Sequence, residues 1–352
     1  MTYNFALLEL ARHLRGITQK DAAEAIGISQ GQLSKAEGML RSLPDSCMNK
    51  VSEVYGMPLS FFMRNVSEND LGVFSFRRRA TVPDKKADQI IAEATILRII
   101  LDEFLEPIEL PDYSLDSYDT DELTPAEIAR DVRKKLGILR GPIPDLITLL
   151  ERNGIIIFKY QLDSSKVDAL SGTTLKGRPI ILLNSSWPND RIRFSLAHEL
   201  GHIVMHSDMR VVTESSTMET QADEFASEFL LPSYEIKPFL YNLNLVTLYE
   251  LKRRWKVSMR AIIRKSKDLG CIDNNKYRNW QISFSKKGYN VHEPFPLPLE
   301  SPTAIRKIVD LYKNELGYSD TEIMNLLTLN KEEYYRWFSS SDKLIKPVDF
   351  SH

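Results

Sequence analysis

The chain has 352 residues, is poor in cysteine and contains no long apolar run. Its two cysteines, Cys47 and Cys271, lie far apart without metal-type spacing, which favours free thiols in a reducing compartment. No apolar stretch approaches the roughly 18 residues of a membrane helix, and no signal-peptide core begins the chain. We therefore expect a cytoplasmic protein that does not bind a membrane.

The sequence also lacks a strong excess of either charge. Its 46 Lys and Arg nearly balance 48 Asp and Glu, for a formal net charge of −2. This balance argues against a protein that coats nucleic acid through bulk charge, although a local basic patch stays open. The hydrophobic content of 43% is that of a globular protein, and the length predicts two or three domains.

Histidine is scarce as well, yet three of the six histidines, His198, His202 and His206, fall within nine residues. Two histidines four apart leave one face of a helix about 6 Å apart along its axis, so both can reach one metal ion. Glu199 lies about 100° further round, where it can take a proton from a metal-bound water. Flanking apolar residues keep helical spacing: Ile192, Leu196, Leu200 and Ile203.

Two histidines leave a catalytic zinc ion one protein ligand short, and the third should be a carboxylate, histidine or cysteine on a neighbouring element. Residues 218–230 predict a second helix, and Glu219 begins its apolar face. Asp223 follows one turn later. We interpret Glu219 as the third ligand and Asp223 as an acceptor from a ligand histidine, with His198 the first candidate.

Other polar residues near this motif are interpreted as packed or solvent-exposed side chains. A packed or solvated His206 is favoured over a metal ligand or substrate contact. Glu224 and Glu228 are expected on the solvent face of their helix. The sequence does not identify a donor that stabilises the transition state; its candidates are Tyr160, His206, Tyr234 and the arginines near 253.

Residues 1–66 predict a compact, all-helical unit. Helices are expected at about 5–14, 19–25, 30–37 and 44–55, followed by a short fifth helix from Pro58. Thr18 and Ser29 are the expected caps of the second and third helices, and Gly56 ends the fourth.

The remainder divides into three predicted segments. Residues 67–119 form a connector with three arginines at 77–79 and a helix from about 87 to 105 with one buried face. Residues 120–268 are expected to be α+β, with a strand at 155–158 and a hairpin of 169–175 and 179–183 whose edge could receive an extended peptide. Residues 269–352 form a cap with a strand-like piece at 280–285 and two helices.

The motif around the histidines extends further along the chain. His198-Glu199-Leu200-Gly201-His202, followed by Glu219-x-x-Ala222-Asp223-x-Phe225-Ala226, resembles the ImmA/IrrE family of gluzincin-like zinc metallopeptidases. The resemblance implies one Zn²⁺ per chain, bound by His198, His202 and Glu219, with Glu199 as the general base. Some members carry glutamate where this chain has Gln221, so a ligand there is unsupported.

The N-terminal spacing resembles a second family. Gly16-Ile17-Thr18-Gln19, followed by Gly27-Ile28-Ser29-Gln30 and Leu33-Ser34-Lys35-Ala36-Glu37, is similar to the Xre/Cro helix-turn-helix. The resemblance implies five short helices, with the third reading DNA. The expected DNA contacts are Gln19, Ser29, Gln30, Gln32, Ser34 and Lys35.

Charge limits this second interpretation. Residues 1–62 carry six Lys or Arg and six Asp or Glu, whereas phosphate contacts normally supply much of the affinity for DNA. The arginines at 77–79 or a homodimer would add positive charge. A second basic segment, residues 252–267, is interpreted as a solvated face in preference to a nucleic-acid contact.

Together these patterns predict a multidomain chain. An all-α helix-turn-helix domain (1–66) and a helical connector (67–119) precede an α+β zincin-like metallopeptidase domain (120–268) and a small cap (269–352). The predicted function is a DNA-binding regulator that cleaves a repressor-like protein in stress, phage or mobile-element control. The alternative is a non-proteolytic, antitoxin-like repressor that binds DNA and a partner toxin.

Overall fold

The computed structural model describes residues 2–67, 70–71, 74–75, 84–162, 167–206, 216–290 and 292–338. The arginines at 77–79, which were expected to add positive charge, lie outside these described residues. None of the described helices combines the length and apolar composition that a membrane span requires. Cys47 and Cys271 are free thiols, as the sequence predicted.

The N-terminal region contains four helices and a short 3₁₀ helix, and the predicted bounds are confirmed to within one residue. Thr18 caps the second helix by accepting a hydrogen bond from the Asp21 amide, and Ser29 forms a reciprocal capping box with Gln32 at the third. The elements are α1 (Ala6–Leu14), α2 (Gln19–Ile26), α3 (Gln30–Glu37), α4 (Asp45–Tyr55) and the 3₁₀ helix Leu59–Met63.

The connector contains a long central helix, α5 (Asp84–Leu105). The sequence predicted one buried face, but residues 92–101 of α5 are buried on all sides. A helix that is buried on all sides requires neighbours all round. α1 is one such neighbour, and the Gln89 side-chain amide donates to the Leu14 carbonyl at 3.2 Å.

A four-stranded sheet lies at the centre of the structure. Its strands are β1 (Phe74–Ser75), β2 (Ile156–Tyr160), β3 (Ala169–Thr173) and β4 (Pro179–Asn184), in the order β1-β3-β4-β2. β3 and β4 form the predicted antiparallel hairpin, and β2 runs parallel to β4. β1 pairs antiparallel with β3, on the hairpin edge that the sequence left open.

Both faces of the sheet are apolar and carry separate cores. Residues such as Phe158 and Leu182 face a first core, shared with α1, α5 and the C-terminal helices. Their neighbours Ile157 and Ile181 face a second core, which contains the helix of the histidine motif. Because successive side chains of a strand point to opposite faces, one short sheet separates the two cores.

The second core is covered by helices between residues 125 and 268. Gly201 lets two of them approach closely, because a Cβ atom there would lie 3.1 Å from the Phe225 ring. These helices are α6 (Pro125–Lys135), α7 (Leu146–Arg152), α8 (Asn189–Met205), α9 (Ser216–Leu230), α10 (Ser233–Ile236), α11 (Leu245–Trp255) and α12 (Met259–Asp268).

The prediction of a strand-like piece at 280–285 is wrong, because these residues lie inside a helix, α13 (Asn274–Lys286). Asp273 caps this helix by accepting from the Lys276 amide at 2.7 Å. The alternating apolar pattern also fits a helical i, i+4 pair, and the Trp280 and Phe284 rings meet edge to face at 5.9 Å.

Three helices follow where the sequence predicted two: α14 (Ala304–Asn314), α15 (Asp320–Leu327) and α16 (Lys331–Phe338). They pack onto the first core and contact the N-terminal helices. Arg15 forms an ion pair with the buried Glu333 of α16, and the Arg64 Nε donates to Thr328 Oγ1 at 2.8 Å. The helix-turn-helix region is therefore held to the C-terminal helices by side-chain contacts.

The basic segment 252–267 is only partly the solvated face that the sequence predicted. Lys252 is buried and its Nζ lies 2.7 Å from Asp190 and 2.9 Å from Glu293. Lys265 is also buried, with its Nζ 2.7 Å from Glu228. The prediction that Glu228 faces solvent is wrong, because this carboxylate neutralises a buried lysine.

Gly154, between α7 and β2, provides a test of local packing. Its φ is +81°, and a Cβ atom would lie 2.6 Å from the backbone nitrogen of Tyr113. Gly137 has a similar φ of +75° but open space around it. We expect Gly137→Ala to cost about 1 kcal/mol from the left-handed backbone alone. Gly154→Ala should cost at least about 2 kcal/mol more, because the chain at 111–113 must move.

The measurement is urea-induced unfolding followed by circular dichroism, with Gly137→Ala as the matched control. Equal losses of stability in the two variants would contradict the close approach at Gly154.

Candidate metal centre

Helices α8 and α9 pack side by side and bring three donor atoms together. The Nε2 atoms of His198 and His202 are 3.0 Å apart. Glu219 Oε1 lies 3.4 Å from His202 Nε2 and 3.8 Å from His198 Nε2. These three atoms lie within 4.8 Å of one another, and both histidines are buried.

The donor set fits a zinc ion. Two donors of a tetrahedral zinc, each at about 2.0–2.1 Å, are separated by about 3.3–3.4 Å, which is close to the three separations seen here. Two imidazoles and a carboxylate are also the donor types that catalytic zinc sites use. His198, His202 and Glu219 can therefore hold a metal ion without a change of fold.

His198 is oriented by a carboxylate behind it. Its Nδ1 lies 2.8 Å from Asp223 Oδ1, one turn of α9 beyond Glu219. A proton on Nδ1 leaves the Nε2 lone pair facing the donor cluster. Burial disfavours the charged imidazole, but Asp223 and Glu219 outweigh it and raise the pKa of His198 to about 10. The same negative surroundings favour a metal cation, which must displace the Nε2 proton of the charged ring to bind.

His202 is oriented by a second chain of hydrogen bonds that the sequence did not predict. Its Nδ1 lies 3.0 Å from His206 Nδ1, and His206 Nε2 lies 3.0 Å from Gln221 Oε1. An amide oxygen only accepts, so His206 donates from Nε2 and accepts at Nδ1 from His202. Burial lowers the pKa of His206, in agreement with a neutral ring. The spacing of His206, one turn past His202, was the available signal.

Glu199 points towards the sheet and is also held in place. Ser171 on β3 donates from its hydroxyl to Glu199 Oε2 at 2.6 Å, and both residues are buried. No sequence motif predicts the role of Ser171, because it lies 28 residues before Glu199 in a strand without a distinctive pattern. The contact fixes one oxygen of Glu199 and leaves the other for a second partner.

Two candidates for the donor that stabilises the transition state, Tyr160 and Tyr234, make other contacts. The Tyr160 hydroxyl donates to Glu93 at 3.1 Å and belongs to the first core, while Tyr234 is exposed and donates to the Leu139 carbonyl. Glu224 is exposed, as predicted. The preference for a packed His206 is confirmed, because its ring is 7% exposed and hydrogen-bonded at both nitrogens.

The third helix of the N-terminal region presents an exposed polar face. Gln30, Ser34 and Lys35 are exposed on α3, whereas Ser29 and Gln32 bond to each other in the capping box. Gln19, on α2, is half-buried and its side chain contacts Gln30 and, at 2.8 Å, Glu37.

A buried ion pair sets the position of α3. Arg12 of α1 binds Glu37 at the end of α3 through two contacts, Nε to Oε1 at 2.7 Å and Nη2 to Oε2 at 3.0 Å. Both side chains are buried, and the fork geometry fixes direction as well as distance. α3 is thereby fixed with its polar face towards solvent.

The relay through His206 gives a test of metal affinity. We expect His206→Ala to weaken zinc binding about 10- to 100-fold, because His202 loses the partner that fixes its ring and tautomer. Gln221→Ala should weaken binding less, since it acts one step further away. Competition with a zinc-chelating dye measures both, and Glu224→Ala, an exposed change on the same helix, is the control. Unchanged affinity in His206→Ala would refute the orienting role.

Comparisons with known proteins match two separate segments of the chain. Residues 8–62 match the helix-turn-helix family model, and residues 150–267 match the M78 peptidase model, described as the IrrE N-terminal-like domain. No match was found among curated proteins. The matched ranges contain α3 and the three metal-donor residues, respectively. One segment of the chain is therefore similar to helix-turn-helix domains, and a later segment is similar to the IrrE-like domain of the M78 peptidase family.

Proposed function

We propose that this protein is a DNA-binding regulator whose second domain is a zinc-dependent endopeptidase. The observation that carries the proposal is the convergence of His198, His202 and Glu219 beside the buried carboxylate of Glu199. Three metal donors alone would be sufficient for a site that only holds a metal ion. A neighbouring carboxylate that is not a donor is what proton transfer requires.

The residues of the site divide the chemistry among them. Zinc, when bound, lowers the pKa of a water molecule and polarises the peptide carbonyl. Glu199 takes the proton from the attacking water and passes it to the leaving nitrogen. Ser171 holds Glu199 at one oxygen, and Asp223 and His206 hold the two histidine rings, so little reorganisation is needed during the reaction.

The substrate we propose is another regulatory protein, in keeping with the repressor substrates that the ImmA/IrrE resemblance implies. An extended segment would pair with the edge of β3, whose Ser171 contacts Glu199. Fusion to a DNA-reading domain brings the peptidase to the DNA where such a regulator binds. The domain boundaries at residues 66, 119 and 268, together with homodimer formation, belong to this proposal.

A second candidate function is an antitoxin-like repressor that binds DNA and a partner toxin without cleaving it. The exposed face of α3 supports this function equally well. The buried contact between Ser171 and Glu199 favours the peptidase, because a protein that only binds its partner gains nothing from an oriented carboxylate at a metal site.

Glu199→Gln separates the two functions. We expect this variant to bind zinc as the parent protein does, because Glu199 is not among the donors, and to lose cleavage at least about 100-fold, because glutamine cannot accept the proton. Zinc content is measured by elemental analysis and cleavage with a dye-labelled unfolded protein, casein. Glu224→Gln makes the same chemical change at an exposed position and should cleave normally. No cleavage by the zinc-loaded parent protein or by Glu224→Gln would eliminate the peptidase function, and equal cleavage by the two variants would eliminate Glu199 as the general base.

DNA binding gives an independent test. Gln30→Ala should cost about 1–3 kcal/mol on the preferred duplex, because glutamine reads adenine edges, and should relax specificity at one base pair. Lys35→Ala should reduce the salt dependence of binding by about one phosphate contact. The duplex is selected from a random-sequence pool, and Lys50→Ala on α4 controls for loss of charge. Parental affinity in both α3 variants would argue against α3 as the reader.

A further inference from the structure

The edge of β3 is already occupied by this chain. β1, the two-residue strand Phe74–Ser75 of the connector, pairs with it in antiparallel register. Ser75 lies opposite Ser171, and Phe74 lies opposite Gly172. The other edge of β3 pairs with β4, so β1 takes the only edge of β3 that a further strand could join.

This edge adjoins the candidate metal centre. Ser171, the residue opposite Ser75, donates its hydroxyl to Glu199 at 2.6 Å. β3 also packs directly against α8, which carries Glu199 and both histidines. A backbone that pairs with Ser171 is therefore only one side chain away from the carboxylate that we assign to proton transfer.

We propose that the connector strand Phe74–Ser75 is a tethered competitor that holds the position in which an extended peptide pairs with β3. The inference rests on the proposed function for its consequence, since a closed edge matters most to a peptidase. The competing ligand is an unfolded or extended polypeptide segment, recognised mainly through its backbone. The helix-turn-helix domain and the peptidase domain are thus joined through a segment that pairs with the β3 edge beside the candidate site.

The strength of this competition follows from the lengths of the strands. β1 pairs with two of the five residues of β3, and so short a pairing is weak by itself. Its tether raises its local concentration to about the millimolar range, which is enough to compete with a dilute peptide. A substrate that pairs along all five residues would replace it. The connector therefore favours long, extended segments over short peptides.

The test measures binding without cleavage. In a zinc-loaded Glu199→Gln background, Phe74→Pro with Ser75→Pro removes both backbone donors of β1. The matched control, Phe74→Tyr with Ser75→Thr, keeps both donors and the preference for a strand. We expect dye-labelled casein, followed by fluorescence anisotropy, to bind the proline variant at least about tenfold more tightly than the control. A tenfold difference in affinity means that, in the control protein, β1 leaves the edge of β3 free about a tenth of the time. Equal affinities would overturn the proposal.

A second measurement needs no substitution in the connector, so it does not depend on how the proline variant folds. Hydrogen exchange of the Glu199→Gln protein is compared with and without saturating casein. The one backbone amide of residues 74–75 that faces β3 should lose protection when casein is added, while those at 169–173 stay protected. Protection at 74–75 that is unchanged at saturating casein would also overturn the proposal, because the two strands would not compete.

Cleavage is measured separately, so that the two proposals fail in different ways. With Glu199 restored, the proline variant should cleave casein faster than the tyrosine–threonine control at low casein concentration. If neither variant cleaves while binding still differs tenfold, the peptidase function fails and the competition stands. If both cleave at one rate and bind equally, the peptidase stands and the competition fails.

Discussion

The structure depends on one small sheet that must be covered on both faces. Phe158 and Ile157 are neighbours in β2, yet they belong to different hydrophobic cores. One core requires the helix that carries His198, and the other requires α5 and the helices at both ends of the chain. The burial of apolar surface, the dominant driving force in folding, therefore assembles the candidate metal centre and positions the N-terminal helical domain around the same strands.

The two candidate ligand histidines and Glu199 are each held in place by a hydrogen bond with a neighbouring residue. Asp223, His206 and Ser171 each contact a residue that we assign to zinc or to proton transfer, and each comes from a different stretch of chain. Holding both imidazoles with Nε2 directed inwards requires proton acceptors on their outer side, which Asp223 and His206 supply. The glycine between the motif residues, Gly201, contributes by letting α9 approach closely enough to present Glu219 and Asp223.

Much of this arrangement could be predicted from local sequence. Helix caps such as Thr18, the spacing of His198 and His202, and the apolar face beginning at Glu219 are signals within one or two turns of chain. The rest depends on contacts between distant residues. Ser171 meets Glu199 only because the sheet packs on α8, and β1 is too short to have a pattern. The alternation at 280–285 fits a strand and a helix equally well, and the cap at Asp273 decides for the helix.

The ion pair between Arg15 and Glu333 spans 318 positions of the chain. During synthesis from the N-terminus, Arg15 leaves the ribosome long before its partner on α16 exists. The N-terminal helices can form early from local contacts. Their complete packing against α5 and α16 requires that almost the whole chain has been made. A translation product that stops before α16 would display α3 without the contact that joins the N-terminal helices to the C-terminal helices.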